Sequence, residues 1–252
     1  MLLHTEISGQ GQAVLLLHGL FGSYENLGVI ARQLESCQVI SMDLRNHGRS
    51  GWSDEMNYPA MADDVAETLA QHGIEQVVVL GHSMGGKVAM QLALSRPHLV
   101  SKLILADISP VQNKPRHQAI FAGLSAVATA NVQSRQQADQ LLTAHIAEAG
   151  VRAFLLKSLQ KAATGFAWRF NLDVLQSCYD DILQPPAATG PYPGPALFIK
   201  GGDSDYLLSE HQGVISTLFP QAKAKVIMGT GHWLHAEKPA AFARLVNDFL
   251  LT

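Results

Sequence analysis

Six short apolar runs, each ending in turn chemistry, constrain this 252-residue chain more than any other feature. Residues 13–17 run into His-Gly, 38–42 into Asp43, 76–80 into Gly81, 102–106 into Asp107, 196–200 into Gly201-Gly202 and 224–228 into Gly229. Runs that lack polar alternation predict strands buried on both faces, as in a parallel sheet. A short N-terminal strand is expected over 3–7. Helix-like stretches at 27–34, 61–72, 85–94 and 239–251 lie between or after the runs. This alternation predicts an α/β architecture, a mostly parallel central sheet flanked by helices on both faces.

Residues 111–188 break the rhythm. They hold few strand-like runs and four helix-forming stretches, 119–130, 135–149, 151–161 and 172–182. We read them as a helical cap inserted between two parts of one core, 1–110 and 189–252. A proline-rich stretch, 185–195, returns the chain to the sheet as a stiff connection. The length suits one domain with such an insertion.

Charge narrows the partners. The net charge of −3 argues against nucleic acid. Residues 111–186 are more basic than the rest, with seven Lys/Arg against five Asp/Glu. Solvated helix faces explain this, and anion binding is the alternative. No apolar run approaches a membrane span, and the first residues lack the basic and apolar regions of a signal peptide, so a soluble cytoplasmic protein is expected. Cys37 and Cys178 have no metal-like spacing. They are expected as thiols in a reducing compartment, with a disulfide left open.

The chemistry centres on Gly81-His82-Ser83-Met84-Gly85, a G-x-S-x-G between a strand-like VVVL and a helix-like GGKVAMQLAL. That context predicts a sharp strand-to-helix turn exposing the Ser83 hydroxyl as a nucleophile. Outside such a context the same five residues are a plain Gly-Ser turn. One oxyanion donor in an elbow of this kind is the amide after the nucleophile, Met84. The other is assigned to Leu20, with Phe21 as alternative, in His18-Gly19-Leu20-Phe21-Gly22 after an earlier strand.

His232, in Gly229-Thr230-Gly231-His232-Trp233-Leu234-His235, is the expected general base. His235 is expected to pack or cap, and His18 and His47 to hold loops. His117 and His145 lack metal-ligand spacing, so no metal and no cofactor are expected. The base needs a carboxylate to hold its tautomer. Asp107 and Asp205 both lie between serine and histidine in the chain order that this elbow uses, and the residues alone leave both open. Asp203, hard against a strand end, suits a turn.

With these residues in view, the chain resembles the bacterial YbfF-type esterases of the α/β-hydrolase superfamily. The resemblance rests on His18-Gly19-Leu20-Phe21-Gly22-Ser23, Asp43-Leu44-Arg45-Asn46-His47-Gly48, Gly81-His82-Ser83-Met84-Gly85-Gly86-Lys87, Asp107-Ile108-Ser109-Pro110, Trp168-Arg169-Phe170-Asn171 and Gly231-His232-Trp233-Leu234-His235. Asn26-Leu27-Gly28, Asn57-Tyr58-Pro59-Ala60-Met61 and the following Ala236-Glu237-Lys238-Pro239 extend it over nearly the whole length. It implies the α/β-hydrolase fold with a helical cap, and a carboxylesterase acting on short acyl esters, with acyl-CoA thioesters as further substrates. It also implies that the aspartate in the Asp107 position can serve as the acid, although Asp205 departs from the non-acidic pattern after the penultimate strand.

The expected chemistry is acyl transfer through a Ser83-His232-Asp triad and an acyl-enzyme. Phe21, Met84, Trp233 and Trp168 are candidates to line the acyl pocket. Arg169, Lys157 and Lys87 are candidates to meet CoA phosphates. Two other readings use the same scaffold: a menaquinone-pathway-like lyase, which needs an arginine-rich pocket, and a non-catalytic small-ligand receptor. Fold alone does not separate the three; the site does.

Overall fold

A computed structural model describes residues 1–34 and 36–252. In chain order its elements are β1 (Thr5–Ser8), β2 (Gln12–Leu17), α1 (Gly28–Ala31), β3 (Cys37–Met42), α2 (Tyr58–Gln71), β4 (Val77–His82), α3 (Met84–Ser95) and β5 (Val100–Ala106). Then come α4 (Gln118–Thr129), α5 (Arg135–Thr143), α6 (Ala149–Lys157), β6 (Leu159–Lys161), β7 (Phe166–Trp168), α7 (Leu172–Ser177) and α8 (Tyr179–Leu183). The chain ends through β8 (Ala196–Gly201), α9 (Gln212–Leu218), β9 (Ala222–Ile227), α10 (Leu234–Glu237) and α11 (Pro239–Leu250).

Seven strands form one sheet in the order β1-β3-β2-β4-β5-β8-β9. Only β1 runs antiparallel, against β3; the other pairings are parallel. The apolar runs explain the burial. Successive strand side chains point to opposite faces, so the central runs feed two cores, whereas the run expected to be buried over 224–228 is the mostly exposed edge strand β9, which has a neighbour on one side only. Leu15, Leu17, Val79, Leu103 and Leu105 pack with α2, α3 and the inserted helices. Val14, Leu16, Val78, Leu80 and Ile104 pack with α1 and α11. The strand order reverses at β2: β3 lies on one side of it and β4 on the other. Open parallel sheets bind ligands at such a switch point, beyond the carboxyl ends of the strands.

Element types largely follow the sequence pattern, but several bounds differ. The expected helix 27–34 is a 3-10 turn at Tyr24–Leu27 followed by the single turn of α1. The helix expected over 151–161 stops at Lys157. The chain then forms the β6–β7 hairpin, with Gly165 in the left-handed region at φ 68°. The stretch 135–149 ends at Thr143, and 172–182 is two short helices with Cys178 between them. Helix α9 was not anticipated.

The segment between β5 and β8 is tied to the core by side-chain and backbone hydrogen bonds. Lys87 on α3, fully buried, donates to the Leu183 and Gln184 carbonyls at 3.0 and 2.7 Å. Burial pushes its pKa down to about 7. Ser158 donates to the Phe21 carbonyl at 2.7 Å, and the Asn171 amide to the Asn46 carbonyl at 2.9 Å. Both cysteines are free thiols, and burial raises the pKa of Cys37. Among the described residues no helix is long and apolar enough to cross a membrane.

Candidate active site

Strand β4 delivers Ser83 to the carboxyl edge of the sheet. Ser83 caps α3 at φ 53°, ψ −118°, a conformation a non-glycine residue adopts only under constraint. The constraint is visible. Its amide donates to the Ala106 carbonyl, while its own carbonyl accepts from Gly86 and Lys87. The flanking glycines permit the turn. A Cβ on Gly81 would drive into the Gly85 carbonyl, and one on Gly85 into the Leu17 carbonyl. The first turn of α3 therefore sits directly on the end of β2.

His232 lies in the loop after β9. Its Nε2 is 2.9 Å from Ser83 Oγ, and its Nδ1 is 2.7 Å from Asp107 Oδ2. With the proton on Nδ1, His232 donates to the carboxylate and Nε2 accepts from the serine hydroxyl. Asp107 follows β5, is wholly buried, and has its backbone at φ 51°. Its Oδ1 accepts from the Gly201 amide at 2.9 Å, and its Oδ2 also accepts from the Ser204 hydroxyl.

The structure does not bring Asp205 to the histidine. Its side chain is 68% exposed, and its carboxylate pairs with Arg116 at 2.6 Å. That guanidinium holds its pKa below the usual carboxylate value. The two residues were open alternatives because both follow parallel strands. They differ in direction: Asp107 turns in under the His232 loop, whereas Asp205 points out to the segment before α4.

Of the amides expected to hold an oxyanion, Leu20 and Met84 are available and the alternative, Phe21, is committed. The Phe21 amide donates to His47 Nε2 at 3.2 Å, which removes it as a donor. Among the described residues neither the Leu20 nor the Met84 amide meets a protein acceptor. His18 and His47 hold this loop as neutral rings. His18 Nδ1 donates to the Gly19 carbonyl and its Nε2 accepts from Leu44, while His47 Nδ1 donates to the Arg45 carbonyl. Burial pushes them down to about 4 and about 3.

Ser83 opens into a cavity of about 380 Å³ between the sheet edge and the inserted helices. Leu20, Phe21 and Trp233 line it from the core, and Ile120, Val151 and Phe154 from the helices. Trp233 stands 5.8 Å from Phe154, ring to ring, across the gap. Other expected lining residues lie elsewhere. The Met84 side chain packs in the core beneath the elbow. Trp168 is buried, stacks on Phe170 at 5.3 Å and donates to the Leu124 carbonyl, so it holds the inserted segment together. Arg169 lies beside Glu25 at 3.4 Å, away from the cavity lining. Lys157 is not part of that lining, and Lys87 is spent on backbone carbonyls. Arg116 is the one arginine among the described lining residues.

Sequence reasoning gave no role to four residues around the base, His82, Ser204, Tyr206 and Arg116. His82 donates from Nε2 to the His232 carbonyl at 2.9 Å, and burial with three neighbouring imidazoles holds its pKa well below normal. His235 packs at 4.3 Å from His82, pushed down to about 3 mainly by burial. Ser204 supports Asp107, Tyr206 stacks flat on His232 at 3.8 Å, and Arg116 lies over Tyr206 at 4.3 Å. The one signal for Ser204 and Tyr206 was the Gly202-Asp203-Ser204-Asp205 turn that holds or adjoins them, and nothing around Arg116 in the chain marked it. Among the described residues no group of three or more His, Cys, Asp or Glu could hold a metal ion.

Comparison with known proteins bears on the family and the fold. Residues 12–239 match the model of the alpha/beta hydrolase fold family. Esterase YbfF of Escherichia coli is 44% identical over 94% of this chain and 92% of its own length. The mouse sn-1-specific diacylglycerol lipase ABHD11 is 42% identical over 94% of this chain and 80% of its own. Among solved structures, a marine microorganism esterase superposes with a TM-score of 0.95 at 35% identity, covering 98% of this chain and 99% of that one.

Proposed function

This chain belongs to the α/β-hydrolase family, and from that membership we propose that it is a serine esterase that hydrolyses short-chain acyl esters. The reading rests on one observation. A continuous hydrogen-bonded run, Asp107–His232–Ser83, ends at the mouth of an apolar cavity beside two amides without protein acceptors. The relatives named esterase and lipase support the same chemistry.

In this mechanism Ser83 Oγ attacks the ester carbonyl carbon as His232 Nε2 takes its proton. Asp107 stabilises the imidazolium that forms. The Leu20 and Met84 amides receive the developing oxyanion, each contributing on the order of 3 kcal/mol to the transition state. The tetrahedral intermediate expels the alkoxide, which leaves as alcohol with the proton from Nε2. Water, deprotonated by the same nitrogen, then attacks the acyl-enzyme. A second intermediate collapses to release the acid and restore Ser83.

The cavity lining supports a substrate class. Its walls are mainly aliphatic and aromatic, with Glu148 as an acidic member, and its arginine is already paired with Asp205. That favours an uncharged acyl group over the multiply anionic substrate a lyase of this fold would need. Acyl-CoA thioesters are the second substrate class to test. The test is a panel of nitrophenyl esters of rising chain length together with acyl-CoAs, run on the wild type and on Ser83→Ala. Ester hydrolysis that disappears in Ser83→Ala supports the reading. A folded wild type that turns over nothing refutes it.

A further inference from the structure

The proposed esterase reading leaves Tyr206, Arg116 and Asp205 without a task, yet the three form an ordered stack on the base. The Tyr206 ring lies on the His232 imidazole with centroids 3.8 Å apart and planes 16° from parallel. The Arg116 guanidinium lies 4.3 Å from the same Tyr206 ring. A parallel imidazole at van der Waals distance leaves no room beside it on that face. The guanidinium therefore covers the opposite face. Asp205 closes the stack by pairing with Arg116 at 2.6 Å.

The stack is anchored at both ends. The Tyr206 amide donates to Ser204 Oγ at 3.3 Å, and Ser204 in turn donates to Asp107. The Tyr206 carbonyl accepts from Ser109 Oγ at 2.9 Å, two residues after Asp107. The ring is thus fixed to the turn that carries the acid. Arg116 comes from the segment that leads into α4, and its amide donates to the Tyr179 hydroxyl at 3.2 Å. The ion pair with Asp205 therefore joins the inserted helices to the loop after β8.

Resting on the esterase reading, we propose that Tyr206 is a positioning residue for the base, and that the Arg116–Asp205 pair clamps it and sets the charge felt by His232. Mechanically, the ring stops the imidazole from rotating off the line between Asp107 and Ser83. Electrically, the π face of Tyr206 favours the imidazolium formed during acyl transfer. Arg116 on the far face opposes that, and Asp205 neutralises Arg116.

The other groups facing His232 carry little competing charge. His82 from β4 and His117 from the segment before α4 are held neutral by burial, as is His235 behind His82. Asp107 is the charged partner in direct contact. Glu237 accepts from the Gly231 amide, Glu148 lies in the cavity wall, and Lys157 on α6 acts from behind His235. None of these three stacks on or bonds to the imidazole.

The charge argument gives shifts of opposite sign. The acid limb of kcat/KM reports the pKa of the free enzyme's base. Asp205→Asn leaves Arg116 unneutralised, disfavours the imidazolium and moves the limb to lower pH. Arg116→Gln removes the opposing cation and moves it to higher pH. At this distance and in a partly solvated site each shift is about half a pH unit. The double variant returns towards the wild-type midpoint. A merely structural role for the pair would not produce opposed shifts that cancel.

The experiment is phenyl acetate hydrolysis, followed by acid release from pH 5 to 9, on wild type, both charge variants, the double variant, Tyr206→Leu and Tyr206→Phe. Tyr206→Leu is expected to lower kcat roughly three- to tenfold with KM little changed, and the ring-conserving Tyr206→Phe to recover most of that loss. Wild-type kcat in Tyr206→Leu, or charge variants that leave the limb in place or move it the same way, would overturn the proposal. If Tyr206→Leu fails to fold, the half-exposed ion-pair variants still decide it. Loss of all activity in Asp205→Asn would also overturn it, by making Asp205 the acid. The esterase reading fails separately, through an inactive wild type or an active Ser83→Ala.

Discussion

An Asp107→Asn variant is expected to lose on the order of 10⁴-fold in kcat while keeping its fold. The structure dictates why. The Gly201 amide donates to Oδ1 of Asp107, so an asparagine must present its oxygen there. Its NH₂ then faces Nδ1 of His232, where the carboxylate oxygen had been. Two donors cannot meet, so the imidazole moves its proton to Nε2, which points at Ser83. The base is left holding a proton towards the nucleophile it should deprotonate. Flipping the amide sets its NH₂ against the Gly201 N–H and gains nothing. A 10⁴-fold loss corresponds to about 5–6 kcal/mol in the barrier. Buried contacts at Gly201 and Ser204 survive, because the Ser204 hydroxyl can turn to accept from the new amide. The assay is kcat for nitrophenyl acetate beside a thermal melt. Asp205→Asn, which breaks only an exposed ion pair, is expected to stay within about tenfold of wild type. A folded Asp107→Asn that retains activity while Asp205→Asn loses it would refute the assignment.

Other outcomes follow from the same contacts. The buried histidines should make the fold acid-sensitive. Burial holds the imidazoles of His18, His47 and His235 down to about 4, about 3 and about 3, against an ordinary value of about 6.5, so below about pH 6.5 the unfolded chain takes up protons that the folded chain refuses. Stability is therefore full above that pH and falls as pH drops towards 4. Urea midpoints at pH 7.5, 5.5 and 4.5 should fall in that order, less steeply in His47→Gln, and a flat profile would contradict the burial argument. Gly85→Ala should destabilise by several kcal/mol, because its Cβ would collide with the Leu17 carbonyl, which belongs to a central strand and cannot yield; an unchanged melting temperature would show the elbow to be slacker than drawn. Val151→Trp should shorten the accepted acyl chain, lowering turnover of octanoyl relative to acetyl esters by tenfold or more. An unchanged ratio would place the acyl chain elsewhere.

Much of the fold was legible because it depends on local patterns. The apolar runs became strands, five of the six largely buried and the last, over 224–228, the mostly exposed edge strand β9, and G-x-S-x-G between a strand and a helix became the serine turn. The inserted helices were harder. Nothing in the apolar spacing of 151–161 showed that the helix would end at Lys157 and the chain return as a hairpin, since that pairing is made with residues 166–168. Trp168 and Arg169 looked like site residues by their chemistry, but packing turned one into the interior of the inserted segment and the other towards Glu25.

By itself the sequence pointed to the architecture, the candidate nucleophile and the candidate base, because each depends on residues adjacent in the chain: an apolar run, a glycine turn, a histidine at a loop tip. It left the acid open, because Asp107 and Asp205 occupy equivalent places after neighbouring parallel strands. Only the tertiary structure decided which carboxylate turns inward, since that depends on the Gly201 amide and the Ser204 hydroxyl arriving from residues nearly a hundred positions away. The same distance hid the Tyr206 stack. A ring's partner across a sheet edge leaves no period in the sequence; it exists only once the strands have set their register.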